Sequence, residues 1–313
     1  MKQIYLDTNQ LGPYNISNNL AFRILNETEH SVYVVKKSEW LNADTWPSVL
    51  KKDFDGRIKW GTRLAQKNDF VINYKCRVPY RLRTTDKGLN LNSDYLKLAS
   101  EVPCSEKRVR ELKERMLGKN KVVVMGSVWN HEMDLLQFFV EELIHKEYDV
   151  LIAPRHLDSI ESFKKKITDI NLEYGLRSEG ETFQHKNIIF LDTLGELKEF
   201  YSLGSINLVC GGLEPNAYRG GHNPLESLVF AKPTLIGKDY SNHTISIKYF
   251  RNSPFLEILE SNGLHSLENS FEKLEQFTKR EDFREKQEEF EEKLRKSSKE
   301  SEVLIDDVLK ILN

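Results

Sequence analysis

Apolar residues fall into short continuous runs separated by stretches with helical spacing, most regularly between residues 121 and 236. Lys121–Met125 (KVVVM), Asp149–Ala153 (DVLIA), Asn187–Leu191 (NIIFL), Ile206–Cys210 (INLVC) and Pro233–Ile236 each read as a strand. Between them, His131–Lys146, Ile160–Ile170, Gly195–Tyr201 and Pro224–Phe230 read as helices. Strands that are apolar on both faces, alternating with helices, predict a doubly wound parallel α/β domain.

The N-terminal part starts the same way. Gln3–Leu6 reads as a strand, Asn15–Glu29 as a helix with Ile16, Leu20, Ile24 and Leu25 as its apolar positions, and Ser31–Val35 as a second strand. Such a strand–helix–strand unit builds a parallel sheet. Gly56–Trp60 and Phe70–Tyr74 are further strands. Lys75–Thr85 carries Lys75, Arg77, Arg81 and Arg83, read either as a solvated loop or helix face or as a basic surface for an anionic acceptor. Lys107–Leu117 is a charged helix closed by Gly118-Lys119-Asn120, and the domain boundary is placed there. This divides the chain into residues 1–117, 118–285 and a C-terminal helix, 286–313. From Ser270 to Leu312 the chain is helical and highly charged without a sustained heptad, which predicts a solvent-facing helix pair.

Composition narrows the function classes. The 313 residues include 46 Lys and Arg against 48 Asp and Glu, a net charge of −2, so no strong global field points to nucleic acid. Three cysteines without a CxxC pair make neither a disulfide framework nor a zinc site, and suit a reducing, cytoplasmic setting. No run of about 18 apolar residues predicts a membrane span, which leaves peripheral contact with the inner membrane open. The chain has no GxxxxGK[ST], HExxH or GxSxG, nor a GxGxxG after its first strand. This disfavours P-loop, metallohydrolase, α/β-hydrolase and dinucleotide chemistry. The expectation is no metal and no cofactor.

In an open parallel sheet, ligands bind beyond the carboxyl ends of the strands. Gly126-Ser127 follows KVVVM, where the small residue lets a backbone approach a ligand and the hydroxyl can donate to phosphate. Arg155 and His156 follow DVLIA, where a guanidinium can clamp a phosphate. Asp192-Thr193-Leu194-Gly195-Glu196-Leu197 follows NIIFL, with Asp192 or Thr193 expected to cap the next helix. INLVC runs into Gly211-Gly212 and then Arg219-Gly220-Gly221-His222-Asn223-Pro224-Leu225-Glu226. Asn223 suits an N-cap and Pro224 a first helical turn, which predicts a helix N-terminus able to hold an anion, with Glu226 facing ribose hydroxyls.

These stretches, in this order, resemble the Kdo (3-deoxy-manno-octulosonic acid) transferases of lipopolysaccharide synthesis. The matching segments are VVVMGS, LIAPRH, LDTLGELKEFY and, within Leu208–Gly237, GGLEP, RGGHNPLE and AKPTLIG. The resemblance covers roughly residues 118–240. It implies a GT-B-like architecture: two Rossmann-like domains about a central cleft, with C-terminal helices crossing back toward the N-terminal domain. It implies a metal-independent glycosyltransferase moving Kdo or a related ulosonic acid from a CMP-activated donor to a lipid or glycan acceptor. Ser127, Arg155, Leu194, Gly195, Glu196, Gly220, Gly221, His222, Asn223 and Glu226 would then form the donor site. The N-terminal half departs from the pattern. Gln10-Leu11-Gly12-Pro13 stands where the family has Ser-x-Gly-Glu, so Pro13 occupies the position of the glutamate base, and Asp7 is the substitute candidate. Two other readings stand beside this one: a GT-B enzyme using a UDP- or GDP-sugar, and a non-catalytic nucleotide-binding protein of the same fold.

Overall fold

The computed structural model describes residues 3–8, 20–21, 23–24, 27, 31–36, 58–61, 70–75, 82–85, 88–92, 97–98, 103–213 and 220–313. The chain divides into two compact units. The first comprises residues 1–100 with 295–313, and the second residues 101–294.

The first unit holds strands β1 (Gln3–Thr8), β2 (Ser31–Lys36), β3 (Ile58–Gly61), β4 (Phe70–Lys75), β5 (Leu82–Thr85) and β6 (Gly88–Asn92). They form one sheet ordered β3-β2-β1-β4-β6-β5, parallel except for the β5–β6 hairpin. The second half of the basic tract is therefore an edge strand rather than a loop or helix face, with Arg83 exposed on it. Residues 20, 21, 23, 24 and 27 are helical, and Leu20 and Ile24 are buried as their spacing predicts. Arg23 reaches Asp306 at 2.8 Å. Leu304, Ile305, Val308 and Leu309 bury the apolar face of the terminal helix in this unit.

The second unit includes α1 (Glu106–Met116), so the division falls before this helix rather than after it at residue 117. Its seven strands are β7 (Lys121–Val128), β8 (Tyr148–Pro154), β9 (Gly175–Leu176), β10 (Ile188–Phe190), β11 (Ile206–Val209), β12 (Thr234–Ile236) and β13 (Leu256–Ile258). They are all parallel, in the order β13-β12-β11-β7-β8-β10-β9. The central strands β7, β8 and β11 are buried on both faces, which is why they read as mainly apolar runs, β11 being interrupted only by the buried Asn207. The helices are α2 (Met133–His145), α3 (Ile160–Asp169), α4 (Leu197–Tyr201), α5 (Leu225–Leu228), α6 (Thr244–Phe250), α7 (Leu264–Thr278) and α8 (Phe283–Leu312), the last continuing into the first unit.

Two helix expectations are corrected. The C-terminal tract is not a solvent-facing pair, because α7 places Leu267, Phe271 and Leu274 in the core of the second unit. Their 4- and 3-residue spacing is helical, but the surrounding charge masks it in the sequence. The helix expected over Pro224–Phe230 is the four-residue α5, with Pro224 at its N-cap position. Ala231 turns into the left-handed region at φ +48°, and Pro233 follows, so the helix cannot continue.

Away from the carboxyl end of this sheet, Asp149 is buried in β8. Its Oδ1 accepts from Asn120 at 3.0 Å and Asn187 at 2.8 Å, while its Oδ2 has no hydrogen-bond partner. Burial pushes this carboxyl above its ordinary range. A carboxyl whose folded value is raised binds its proton more readily in the folded state. Its contribution to stability therefore falls as pH rises from the ordinary carboxylate range through the raised value. Asp149→Asn, which cannot ionise, is expected to stay within about 1 kcal/mol of wild type in urea unfolding at pH 7 and to lose part of this slope. An unchanged slope between pH 4 and 7 would refute the assignment.

Candidate functional site

The second sheet reverses its strand order between β7 and β11: β8 lies on one side of β7, and β11, β12 and β13 on the other. A crevice at the carboxyl ends of the strands flanking such a switch point is where open α/β sheets bind ligands. The segments leaving β11, β7, β8 and β10, four successive neighbours in the sheet, carry the donor residues expected from sequence.

At the end of β7 the pairing with β8 is irregular between Met125 and Val128, and Ser127 adopts φ +58°. The left-handed region costs a residue with a Cβ about 1–2 kcal/mol, and strain of this kind gathers at functional sites. Gly126 is pressed against the buried Tyr201 of α4: a Cβ there would lie 1.8 Å from the phenol oxygen. Glu226 on α5 acts electrostatically on the same phenol and, with burial as the larger cause, raises its pKa. Arg155 is exposed, and its backbone N–H donates to Val128 at 2.8 Å, tying the β8 turn to β7.

The loop after β10 is arranged differently from the expectation. Neither Asp192 nor Thr193 caps α4, whose N-cap position is Glu196. Asp192 instead accepts from the backbone N–H of Ser178 at 2.8 Å and from the Ser178 hydroxyl, so it caps the turn after β9. Glu196 accepts from Thr193 and pairs with Arg177 at 3.0 Å. The carboxylate read as a ligand contact thus braces the loop. Leu194 and Gly195 stand at the tip: Leu194 is 83% exposed and Gly195 has φ +84°.

The glycine-rich loop after β11 is pinned from several directions. The Gly220 N–H donates to Asp239 at 3.1 Å, the Asn242 N–H donates to the Gly220 carbonyl at 3.2 Å, and the His222 N–H donates to Cys210 at 3.2 Å. Gly220 and Gly221 sit at φ +74° and +69°. Two successive left-handed residues turn backbone N–H groups in a way few side chains permit. Asn223 Oδ1 accepts from the Leu225 N–H at 3.2 Å, a role close to the capping one expected. Four residues of α5 make only a weak dipole, so the expected anion would depend on the loop and its side chains instead.

Two residues were missed. Trp129 and Glu132 lie between β7 and α2, and in sequence Glu132 looks like an ordinary acid at a helix start. It is fully buried and makes no cap bond to its own helix. Its carboxylate accepts from the backbone N–H groups of Trp129 at 3.0 Å, Gly211 at 2.8 and 3.0 Å, and Leu213 at 3.1 Å. Burial raises its pKa, and these three hydrogen bonds oppose the rise. The Trp129 indole N–H donates to His222 Nε2 at 2.9 Å. Its ring lies nearly parallel to His222, 6.0 Å away between centroids, and edge-on to His156 at 5.0 Å.

Asp7 lies at the penultimate position of β1, a central strand of the first sheet, in register with Val35 and Asn73. Gln10–Pro13 and Arg219 lie outside the described residues.

Two Rossmann-like α/β units define a GT-B-like fold. The chain aligns with a crystal structure of a glycosyltransferase from Rickettsia africae at TM-score 0.60 and 13% identity, over 99% of both chains. The crystal structure of the C-terminal CMP-Kdo binding domain of WaaA from Acinetobacter baumannii aligns with 61% of the chain and 96% of its own length, at TM-score 0.51 and 22% identity. In sequence, the chain is similar to Kdo transferases. It is 30% identical over 125 residues to the 3-deoxy-D-manno-octulosonic acid transferase of Chlamydia trachomatis serovar A, a match covering 40% of this chain and 28% of that relative. No family model matches the chain.

Proposed function

We propose that the protein is a glycosyltransferase that takes Kdo or a related ulosonic acid from a CMP-activated donor and transfers it to a lipid or glycan acceptor. One observation carries the reading. The segments leaving β11, β7, β8 and β10 lie side by side along the carboxyl edge of the second sheet, about its switch point, and they are the segments that resemble the Kdo transferases. In this reading Arg155 and the Gly220–Asn223 loop hold the CMP phosphate, Ser127 faces the donor, and Glu226 holds the ribose. Leu194 and Gly195 lie against the nucleotide, with Glu196 bracing them. Fixed donors and a guanidinium at the leaving phosphate supply the electrostatic stabilisation that dominates such transfers. Asp7 is assigned the proton of the attacking acceptor hydroxyl, and no metal or cofactor takes part. The acceptor reaches the protein through peripheral contact with the inner membrane. Among the described residues no helix is long and apolar enough to cross a membrane.

The test is titration calorimetry with CMP, UDP and GDP. CMP is expected to bind at least about tenfold tighter than either, a difference near 1.4 kcal/mol. Tightest binding of UDP or GDP would replace the CMP assignment with another GT-B donor. CMP binding without transfer to any lipid or glycan acceptor would favour a non-catalytic protein.

A further inference from the structure

His222 is held more tightly than its place in a glycine-rich loop suggests. Three constraints meet on it: its N–H bonds Cys210 at 3.2 Å, its Nε2 faces the Trp129 indole nitrogen at 2.9 Å, and its ring lies against Gly211. A Cβ on Gly211 would come within 2.4 Å of His222 Cδ2. An indole N–H can only donate, so Nε2 must accept, which leaves the ring proton on Nδ1. Two of the three constraints lead back to one group, because Trp129 and Gly211 both give their backbone N–H to the buried carboxylate of Glu132.

We propose that Glu132 is a positioning residue of the donor site: its carboxylate, through Trp129 and Gly211, fixes the His222 ring as the Nδ1–H tautomer within the glycine-rich loop, so that CMP affinity depends on that one orientation. The inference rests on the donor-site reading above and deepens it. The geometry explains why a carboxylate stands here. Oε1 takes Gly211 and Leu213, and Oε2 takes Trp129 with a second share of Gly211. An amide has one acceptor oxygen. In Glu132→Gln, the oxygen that keeps Gly211 and Leu213 leaves the amide NH2 against the Trp129 N–H, donor facing donor. The indole then loses its anchor, although the side chain keeps its size and burial.

The experiment compares nitrogen-15 NMR of the His222 ring in ligand-free wild type, Glu132→Gln and Trp129→Phe, together with calorimetric CMP affinity. Assignment comes from the signals lost in His222→Gln. The expected result is a single Nδ1–H tautomer in wild type and mixed tautomers in both variants, with CMP binding weakened about tenfold. Trp129→Phe keeps an aromatic ring at a half-buried position, so it tests the last link even where Glu132→Gln fails to fold. A wild-type ring protonated on Nε2 would overturn the proposal. So would a wild-type tautomer retained in either folded variant, or a tautomer lost with CMP affinity intact. Failure of wild type to bind CMP would sink the donor assignment instead, and the tautomer comparison, read without ligand, would still decide the role of Glu132.

Discussion

Gly237→Ala is expected to destabilise the protein by about 3 kcal/mol or more and to weaken nucleotide binding with it. Gly237 follows β12, where the chain crosses the turn leaving β11. A Cβ there would lie 1.9 Å from the Gly212 carbonyl oxygen, 2.0 Å from its carbon and 2.5 Å from the Leu213 nitrogen. All three are backbone atoms, so no rotamer relieves the collision. The peptide that must move carries the Leu213 N–H bound to Glu132 at 3.1 Å, and the neighbouring Gly211 N–H bonds the same carboxylate. Displacement therefore strips donors from a buried charge as well as overpacking the turn. Urea unfolding measures the first effect and CMP calorimetry the second. Gly180→Ala is the control: it has φ +83° but nothing within 4 Å of the added Cβ, so it should lose only the left-handed strain of about 1–2 kcal/mol and leave CMP binding unchanged. Equal losses in the two variants would show that strain, not the crossing at Gly237, sets the cost.

Asp7→Asn is expected to reduce transfer by about 10²–10⁴-fold while CMP affinity stays at the wild-type level. The assignment comes from position. Asp7 precedes the last residue of β1, flanked by β2 and β4 at the point where the strand order of the first sheet reverses. By the resemblance, Pro13 stands where Kdo transferases carry the glutamate proposed as base, and a proline cannot accept a proton. An amide keeps the shape of the carboxylate and removes its basicity, so the loss should appear in turnover rather than in donor binding. A variant that transfers at the wild-type rate would remove Asp7 from the reaction and leave the base to another group.

The strands were the most legible part of the fold. VVVM, VLIA and IIFL are continuous apolar runs, and INLVC is broken only at the buried Asn207, because their strands are covered on both faces; each strand appears within a few residues of its expected bounds. The short edge strands β9 and β13 carry too few residues to show a period, and α6, with the sequence TISIKYF, reads equally well as a strand. The proposed donor residues could be named from the sequence because the topology of a parallel sheet sends every strand's carboxyl end to one edge, so a list of strand ends is also a list of neighbours. What those residues do at the edge was less legible. Asp192 looked like a cap for the helix ahead of it and instead caps a turn fourteen residues behind, because β9 and β10 are adjacent in the sheet.

The sequence by itself determined a doubly wound α/β unit, the gathering of Ser127, Arg155, Leu194 and the Gly220–Asn223 loop at strand ends, and the likeness of those segments to Kdo transferases. These follow from periodicity and local residue chemistry, which act within a few positions along the chain. Only the tertiary structure decided that Glu132 is a buried anchor, that Glu196 braces Arg177, and that Trp129 and His222 share a hydrogen bond. Each joins residues 19 to 93 positions apart, and the partner of a buried polar group is set by which strands pair, not by its neighbours in the chain.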